Sequence, residues 1–148
     1  MTRTVRNRLQ FGLAMAGAVV AGLLTYWHFM NIDMPCTNSG CAQVAASEYS
    51  RFLGVPVAAW GLAYYLAILV ISASIPSLPE SKQRVIDRLS GLLHAGAFVA
   101  SAVLTALEAW VIRAFCQYCI ASAIIVVLLC INAWWPGRPT SREVLEAS

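Results

Sequence analysis

Four long apolar runs constrain this chain more than any other feature of its sequence. A membrane-spanning helix needs about 20 mostly apolar residues, and four segments have that length: residues 9–30, 55–73, 89–112 and 116–135. With 59% hydrophobic and 11% charged residues in a length of 148, the chain is too apolar for an ordinary soluble domain. We therefore predict an all-α integral membrane protein, a single domain over residues 1–148 built as a four-helix transmembrane bundle.

The first run is interpreted as a retained helix rather than a cleaved signal peptide. Its apolar stretch is longer than the about 7–15 residues of a signal sequence. In addition, no pair of small residues of the cleavage type follows it near residues 26–30.

The basic residues predict how the bundle is oriented. Lysine and arginine concentrate in cytoplasmic loops, and here eight of ten fall on one side of the four runs, with only Arg51 and Arg113 on the other. We expect a multi-pass protein of the cell inner (plasma) membrane with both termini cytoplasmic. The outer loops, and the cysteine pairs they carry, would then face an oxidising periplasm or exterior. The dispersed charge does not indicate nucleic-acid binding. The eight residues are Arg3, Arg6, Arg8, Lys82, Arg84, Arg88, Arg138 and Arg142.

Two cysteine pairs are expected to share that outer side. Cys116 and Cys119 form a Cys-x-x-Cys at the start of the fourth run, a spacing that closes a small disulfide ring and tunes thiol reactivity. Cys36 and Cys41 lie in the long, turn-rich outer loop. Cys130 would lie about 16 Å deeper than Cys119 along a helix, and we interpret it as a small buried hydrophobe.

Several interpretations of the four outer cysteines are open at this point. A Cys₄ zinc site would require compact loop knuckles, so we expect no metal. Two structural disulfides in a membrane assembly or maturation factor are an alternative. Thiol–disulfide exchange is favoured, because one pair is in an exposed loop and the other at the lipid boundary, and exchange depends on access.

Other segments carry further expectations. Residues 42–52 are predicted to form one short amphipathic helix that lies on the bundle as a lid. Glu108, an ionisable residue inside a predicted span, is a functional candidate by default, with an ion pair to Arg113 as the alternative. His28 is either a proton-transfer group or an interfacial polar residue, and His94 is predicted to be buried and hydrogen-bonded.

These motifs, taken in order, resemble the vitamin K epoxide reductase family in its bacterial form. The resemblance spans most of the chain and implies a four-helix bundle around a quinone, of the menaquinone, ubiquinone or vitamin K type. It rests on Cys36-x₄-Cys41, Ser47, Gly54-x-Pro56-x₃-Trp60-Gly61-x₂-Tyr64, and Leu107-Glu108-x₂-Val111-Ile112-x-Ala114-x-Cys116-x₂-Cys119.

The resemblance also implies roles for individual residues. Cys36 would exchange with a thiol partner, Cys41 would pass electrons to Cys116, and Cys119 would face and reduce the quinone. The partner would be a separate thioredoxin-like protein, since no such domain follows before Ser148. The quinone would lie near Ser47, Trp60, Tyr64, Leu104 and Glu108.

Some positions depart from the animal enzymes of the family. Ala123 and Val57 stand where those enzymes have a tyrosine and an asparagine, and the loop cysteines are closer together. The loss of these polar contacts favours a plain quinone over an epoxide. A second quinone-coupled family, the bacterial disulfide-bond-formation membrane proteins, carries its cysteine pairs in the reverse order.

Overall fold

The computed structural model describes residues 3–32, 35 and 40–134. Within these residues, four helices are long and apolar enough to cross a membrane, which confirms the predicted all-α bundle. They are α1 (Arg3–Met30), α3 (Val57–Ser74), α4 (Glu80–Leu107) and α5 (Gln117–Trp134), and a short helix, α2 (Gly40–Ala46), lies between the first two.

The helices extend beyond the apolar runs at their polar ends. α1 begins at Arg3 and α4 at Glu80, whereas the runs begin at residues 9 and 89, because hydropathy detects only the portion suited to lipid. The acidic Glu80 lies in the first turn of α4, where the helix dipole favours a negative charge. The Gln83 amide donates to the carbonyls of Ile75 and Leu78 at 3.1 and 2.8 Å and ties the preceding loop to α4.

The packing of the four long helices is uneven. α1 packs most extensively against α3, and α5 packs against both α1 and α4, while α3 and α4 make much less contact with each other. A buried cluster of Ala21, Tyr65, Val126 and Leu129 forms the core where α1, α3 and α5 meet. The sparse contact between α3 and α4 leaves room for a cavity on that side.

The closest approach in the core is between α1 and α3. Gly17 of α1 faces the ring of Tyr65, which is 1% exposed, and a Cβ at position 17 would overlap that ring. Small residues allow such close helix contacts in membranes, where packing drives association. The Tyr65 hydroxyl reaches across to Ser122 of α5, with 2.7 Å between the two hydroxyl oxygens.

The predicted lid helix is wrong in its extent. α2 ends at Ala46, and a 3₁₀ turn (Glu48–Ser50) and a small antiparallel hairpin follow. The reason is Ser47, whose N–H and hydroxyl both donate to the Val44 carbonyl, at 3.2 and 2.8 Å. Serine side chains compete in this way with helix continuation.

The hairpin joins β1 (Arg51–Phe52) to β2 (Val55–Pro56). Its two turn residues, Leu53 and Gly54, both have positive φ, of 54° and 78°, as a two-residue hairpin turn of the favoured hand requires. The hairpin leads directly into α3, which begins at Val57 rather than Val55.

Candidate active site

Cys116 and Cys119 lie at the junction between α5 and the turn that precedes it. Cys116 directly precedes the helix, and its carbonyl accepts a 3.0 Å bond from the Ile120 N–H. Cys119 is in the first turn, and both residues are free thiols. Cys116 is 1% exposed and packs on Leu24 of α1. The helix N-terminus favours a thiolate at this position.

A π-helical turn presents Cys116 to this site. Residues Glu108–Ile112 form the turn at the end of α4, and Arg113 then takes a left-handed conformation with φ 57°. The Ala114 N–H donates to the Glu108 carbonyl at 3.1 Å, and the Cys116 N–H donates to Glu108 Oε2 at 3.3 Å. The π-turn is a rare geometry that occurs preferentially at functional sites.

Glu108 is therefore a buried group with partners in the reactive pair. It is 4% exposed, and its carboxyl group is hydrogen-bonded to the Cys116 backbone and lies within hydrogen-bonding reach of the Cys119 thiol. Arg113, proposed from sequence as an alternative partner, has an exposed side chain.

The two thiols interact with each other. A hydrogen bond from the Cys119 thiol lowers the pKa of the Cys116 thiol to about 7, against an opposing effect of burial. A thiol with a pKa near ambient pH combines a useful thiolate fraction with good nucleophilicity. Cys116 is thus suited to thiol–disulfide exchange.

A cavity of about 260 Å³ opens beside the pair, between α3 and α4. Its wall includes Cys116 and Cys119 together with every residue that the sequence predicts for the pocket, namely Ser47, Trp60, Tyr64, Leu104 and Glu108. Most of the other wall residues are apolar, and the segment from Val44 to Ser50 covers one side. A mainly apolar pocket with a few convergent polar groups is the usual form of a small-molecule site.

Two aromatic residues of α3 have fixed partners. Trp60 donates from Nε1 to the Phe52 carbonyl at 3.2 Å and packs edge-on against the Phe52 ring at 6.0 Å, so the hairpin is held against the cavity wall. The Tyr64 hydroxyl lies 2.6 Å from Nδ1 of His94. His94 is fully buried and also contacts Ser90, which confirms its predicted buried, hydrogen-bonded state.

His28 is part of the cavity wall, which its sequence position alone did not indicate. It lines the cavity from the end of α1, and its Nε2 is buried without a hydrogen-bond partner among the described residues. Buried polar atoms are nearly always paired, so this nitrogen is available to a ligand. The sequence signal was a histidine at the end of an apolar run, beside Tyr26 and Trp27.

The remaining cysteines divide into two groups. Cys130 is not among the residues of the cavity wall, and its thiol lies 3.3 Å from the His94 carbonyl. Cys36 and the side chain of Cys41 lie outside the described residues, although the Cys41 backbone belongs to α2. Their predicted pairing and contacts are therefore untested.

A buried dithiol on the wall of an apolar cavity, inside a four-helix membrane bundle, defines a class of membrane redox proteins. The family model described as the vitamin K epoxide reductase family matches residues 8–134. The chain belongs to this family. It is accordingly a multi-pass membrane oxidoreductase of a family that uses quinones as electron acceptors and typically works with thioredoxin-like partners.

Proposed function

We propose that this protein is a quinone-dependent thiol oxidase that supports disulfide-bond formation. Electrons enter from a separate thioredoxin-like protein at Cys36–Cys41, pass to Cys116–Cys119 and leave to a membrane quinone. The observation that carries the proposal is the position of Cys116 and Cys119 on the wall of the 260 Å³ cavity.

The relay uses balanced thiol–disulfide exchanges. A partner thiolate attacks Cys36 of the loop disulfide and frees the Cys41 thiolate. Cys41 attacks Cys116, which forms a Cys41–Cys116 disulfide and releases the Cys119 thiolate. Once the second partner thiol has freed Cys36, Cys36 attacks Cys41 and releases Cys116. Two electrons and two protons then reside on the Cys116–Cys119 pair, and the partner and the loop pair are oxidised.

The pocket residues fit a quinone ring. Trp60 and Tyr64 contribute aromatic surface to the wall. His28 Nε2, which has no hydrogen-bond partner among the described residues, is a suitable partner for a ring carbonyl oxygen. When bound, a quinone supplies an acceptor for two electrons and two protons. Glu108 holds the Cys116 backbone and lies beside the Cys119 thiol, so it fixes the reactive pair against the cavity.

We also propose an orientation for the chain in the membrane. Both termini are cytoplasmic, and the two cysteine pairs face the periplasm or exterior of an inner (plasma) membrane. The excess of basic residues on the opposite side of the bundle supports this orientation.

The direct test is quinone reduction by the purified protein in lipid nanodiscs, with dithiothreitol as electron donor and a short-chain ubiquinone as acceptor. Cys116→Ala and Cys119→Ala should abolish the activity. Cys130→Ala is the matched control, since Cys130 is not part of the cavity wall, and it should retain full activity.

Trapping separates this proposal from an assembly factor with structural disulfides. In cells, the Cys36 thiolate of Cys41→Ala should attack the disulfide of an oxidised thioredoxin-like protein and release one partner thiol, and the resulting mixed disulfide should accumulate because Cys41 is not there to displace the partner. If no mixed disulfide forms and the purified protein reduces no quinone, the oxidase proposal is wrong.

A further inference from the structure

Tyr118 connects the two redox pairs in an unexpected way. It is one of the two residues between Cys116 and Cys119, and its hydroxyl donates a hydrogen bond to the carbonyl of Pro35. Pro35 directly precedes Cys36 in the chain. A residue inside one cysteine motif therefore holds the residue next to the other motif, across 83 positions of sequence.

The Tyr118 ring is itself held in place. It packs against Trp27 at the end of α1, with ring centroids 5.4 Å apart and planes inclined at 56°. The ring also belongs to the group of side chains packed around Leu24 and Cys116. These contacts favour one orientation of the ring, and they thereby direct its hydroxyl group.

The same buried group holds the other end of the loop. Val44 of α2 packs on the cluster around Leu24 and Cys116, three residues after Cys41. The loop that bears the first cysteine pair is thus tied to the Cys116 region at Pro35 on one side and at Val44 on the other.

Such a double attachment has a kinetic consequence. Because consecutive Cα atoms are about 3.8 Å apart, a hydrogen bond that holds Pro35 also restricts the chain at the next position. Fixing the ends of a loop raises the effective concentration of its reactive groups toward a nearby site. Thiol–disulfide exchange between the loop pair and Cys116 would be accelerated by this effect.

We infer that Tyr118 is a positioning residue for electron transfer between the pairs, which it serves by holding Pro35, the residue before Cys36, through its hydroxyl group. This inference rests on the proposed relay. Tyr118 is not part of the cavity wall, so its proposed role involves no contact with the quinone.

The test uses a variant in which the Cys41–Cys116 disulfide is stable. In Cys119→Ser, the Cys116 thiolate attacks Cys41 of the Cys36–Cys41 disulfide, forms Cys41–Cys116 and releases the Cys36 thiolate. No external oxidant is needed. Mass spectrometry of non-reduced, alkylated peptides gives the ratio of the two disulfides.

Adding Tyr118→Phe removes only the hydroxyl and keeps the ring on Trp27. We expect the ratio of Cys41–Cys116 to Cys36–Cys41 to fall about fivefold, the effect of one net hydrogen bond. In the protein with all its cysteines, Tyr118→Phe should lower kcat with the dithiothreitol donor and leave the KM for the short-chain ubiquinone unchanged. Tyr26→Phe, an exposed tyrosine at the same end of α1, should change neither quantity.

The possible failures are distinguishable. An unchanged disulfide ratio in Tyr118→Phe, in a protein with normal thermal unfolding, would overturn the positioning role and leave the relay intact. An equal fall in Tyr26→Phe would also overturn it. Absence of Cys41–Cys116 from Cys119→Ser alone would reject the relay itself, and the inference with it.

Discussion

The backbone N–H of Cys116 donates a 3.3 Å hydrogen bond to Oε2 of Glu108. This bond joins the C-terminal end of α4 to the residue that begins the reactive pair, and it occupies the carboxyl group of a residue that is 4% exposed. An ionisable side chain at this depth is costly without such partners. The bond therefore accounts both for the burial of Glu108 and for the placement of the Cys116 backbone.

Glu108 substitutions should separate geometry from charge. Glu108→Gln keeps an acceptor oxygen for the Cys116 N–H, and quinone reduction should fall by less than about threefold. Glu108→Leu leaves that N–H buried and unpaired, at a cost of about 1–3 kcal/mol, and the rate should fall about 5- to 150-fold. Glu80→Gln, at the opposite end of α4, is the control. Equal losses in the Gln and Leu variants would contradict the role of the hydrogen bond.

The Cys116 thiol should titrate near neutrality. Its hydrogen bond with Cys119 lowers the pKa to about 7, so the thiolate fraction increases as pH rises through 7. In a reduced protein in which Cys36, Cys41 and Cys130 are replaced by alanine, the rate of iodoacetamide alkylation of Cys116 should reach half its maximum at about pH 7. Cys119→Ala should move this midpoint up toward the ordinary thiol value of about 8.5. A midpoint that stays near 7 would show that the cause is not Cys119.

His28 should contribute to quinone binding. Its buried Nε2 lacks a partner among the described residues and lies at the cavity. His28→Ala should raise the KM for a short-chain ubiquinone about two- to tenfold, the effect of one hydrogen bond, with a smaller change in kcat. His28→Gln offers an amide in its place and should recover part of the affinity. A KM unchanged in His28→Ala would exclude this contact.

Gly17 should be intolerant of any side chain. Gly17→Ala forces a methyl group against the Tyr65 ring, and overpacking of this kind costs about 1–3 kcal/mol. Equilibrium unfolding in detergent measures the decrease in the free energy of unfolding. Gly12→Ala on the same helix is the matched control, because a Cβ there meets nothing within 4 Å, and it should be neutral or stabilising. Similar losses in both variants would mean that the helix, rather than the contact, is affected.

The orientation of the bundle can be measured directly. A membrane-impermeant maleimide added to intact, gently reduced cells should label Cys36 if the outer loops face the periplasm or exterior. The cysteine of Ser81→Cys, which lies beside Lys82 and Arg84 in the sequence, should react only after lysis. Protection of Cys36 in intact cells would contradict the proposed topology.

The global fold was predictable because few physical alternatives exist in a membrane. Every backbone polar group must be satisfied in lipid, so apolar runs of sufficient length become helices. The pocket residues were predicted from a family resemblance, and Trp60, Tyr64 and Leu104 do line one cavity. Their contact with a quinone remains a proposal.

Local hydrogen bonding and tertiary contacts were less predictable. The amphipathic pattern of residues 42–52 does not reveal that the Ser47 side chain bonds back to Val44 and ends the helix. The burial of His28 Nε2 without a partner in the described part of the chain, and the bond from Tyr118 to Pro35, both depend on contacts between distant segments. Sequence spacing alone carries no information on such contacts.

The π-turn at Glu108–Ile112 restricts the number of residues that this segment can contain. A π-turn accommodates one more residue than the corresponding α-helical turn, so this segment is equivalent to a helix with a one-residue insertion. Removing a single residue from it would restore an ordinary helix and rotate everything that follows by about 100° around the axis. The Cys116 N–H would then leave the Glu108 carboxyl group. Between Glu108 and Cys116, the number of residues is therefore as restrictive as their identity.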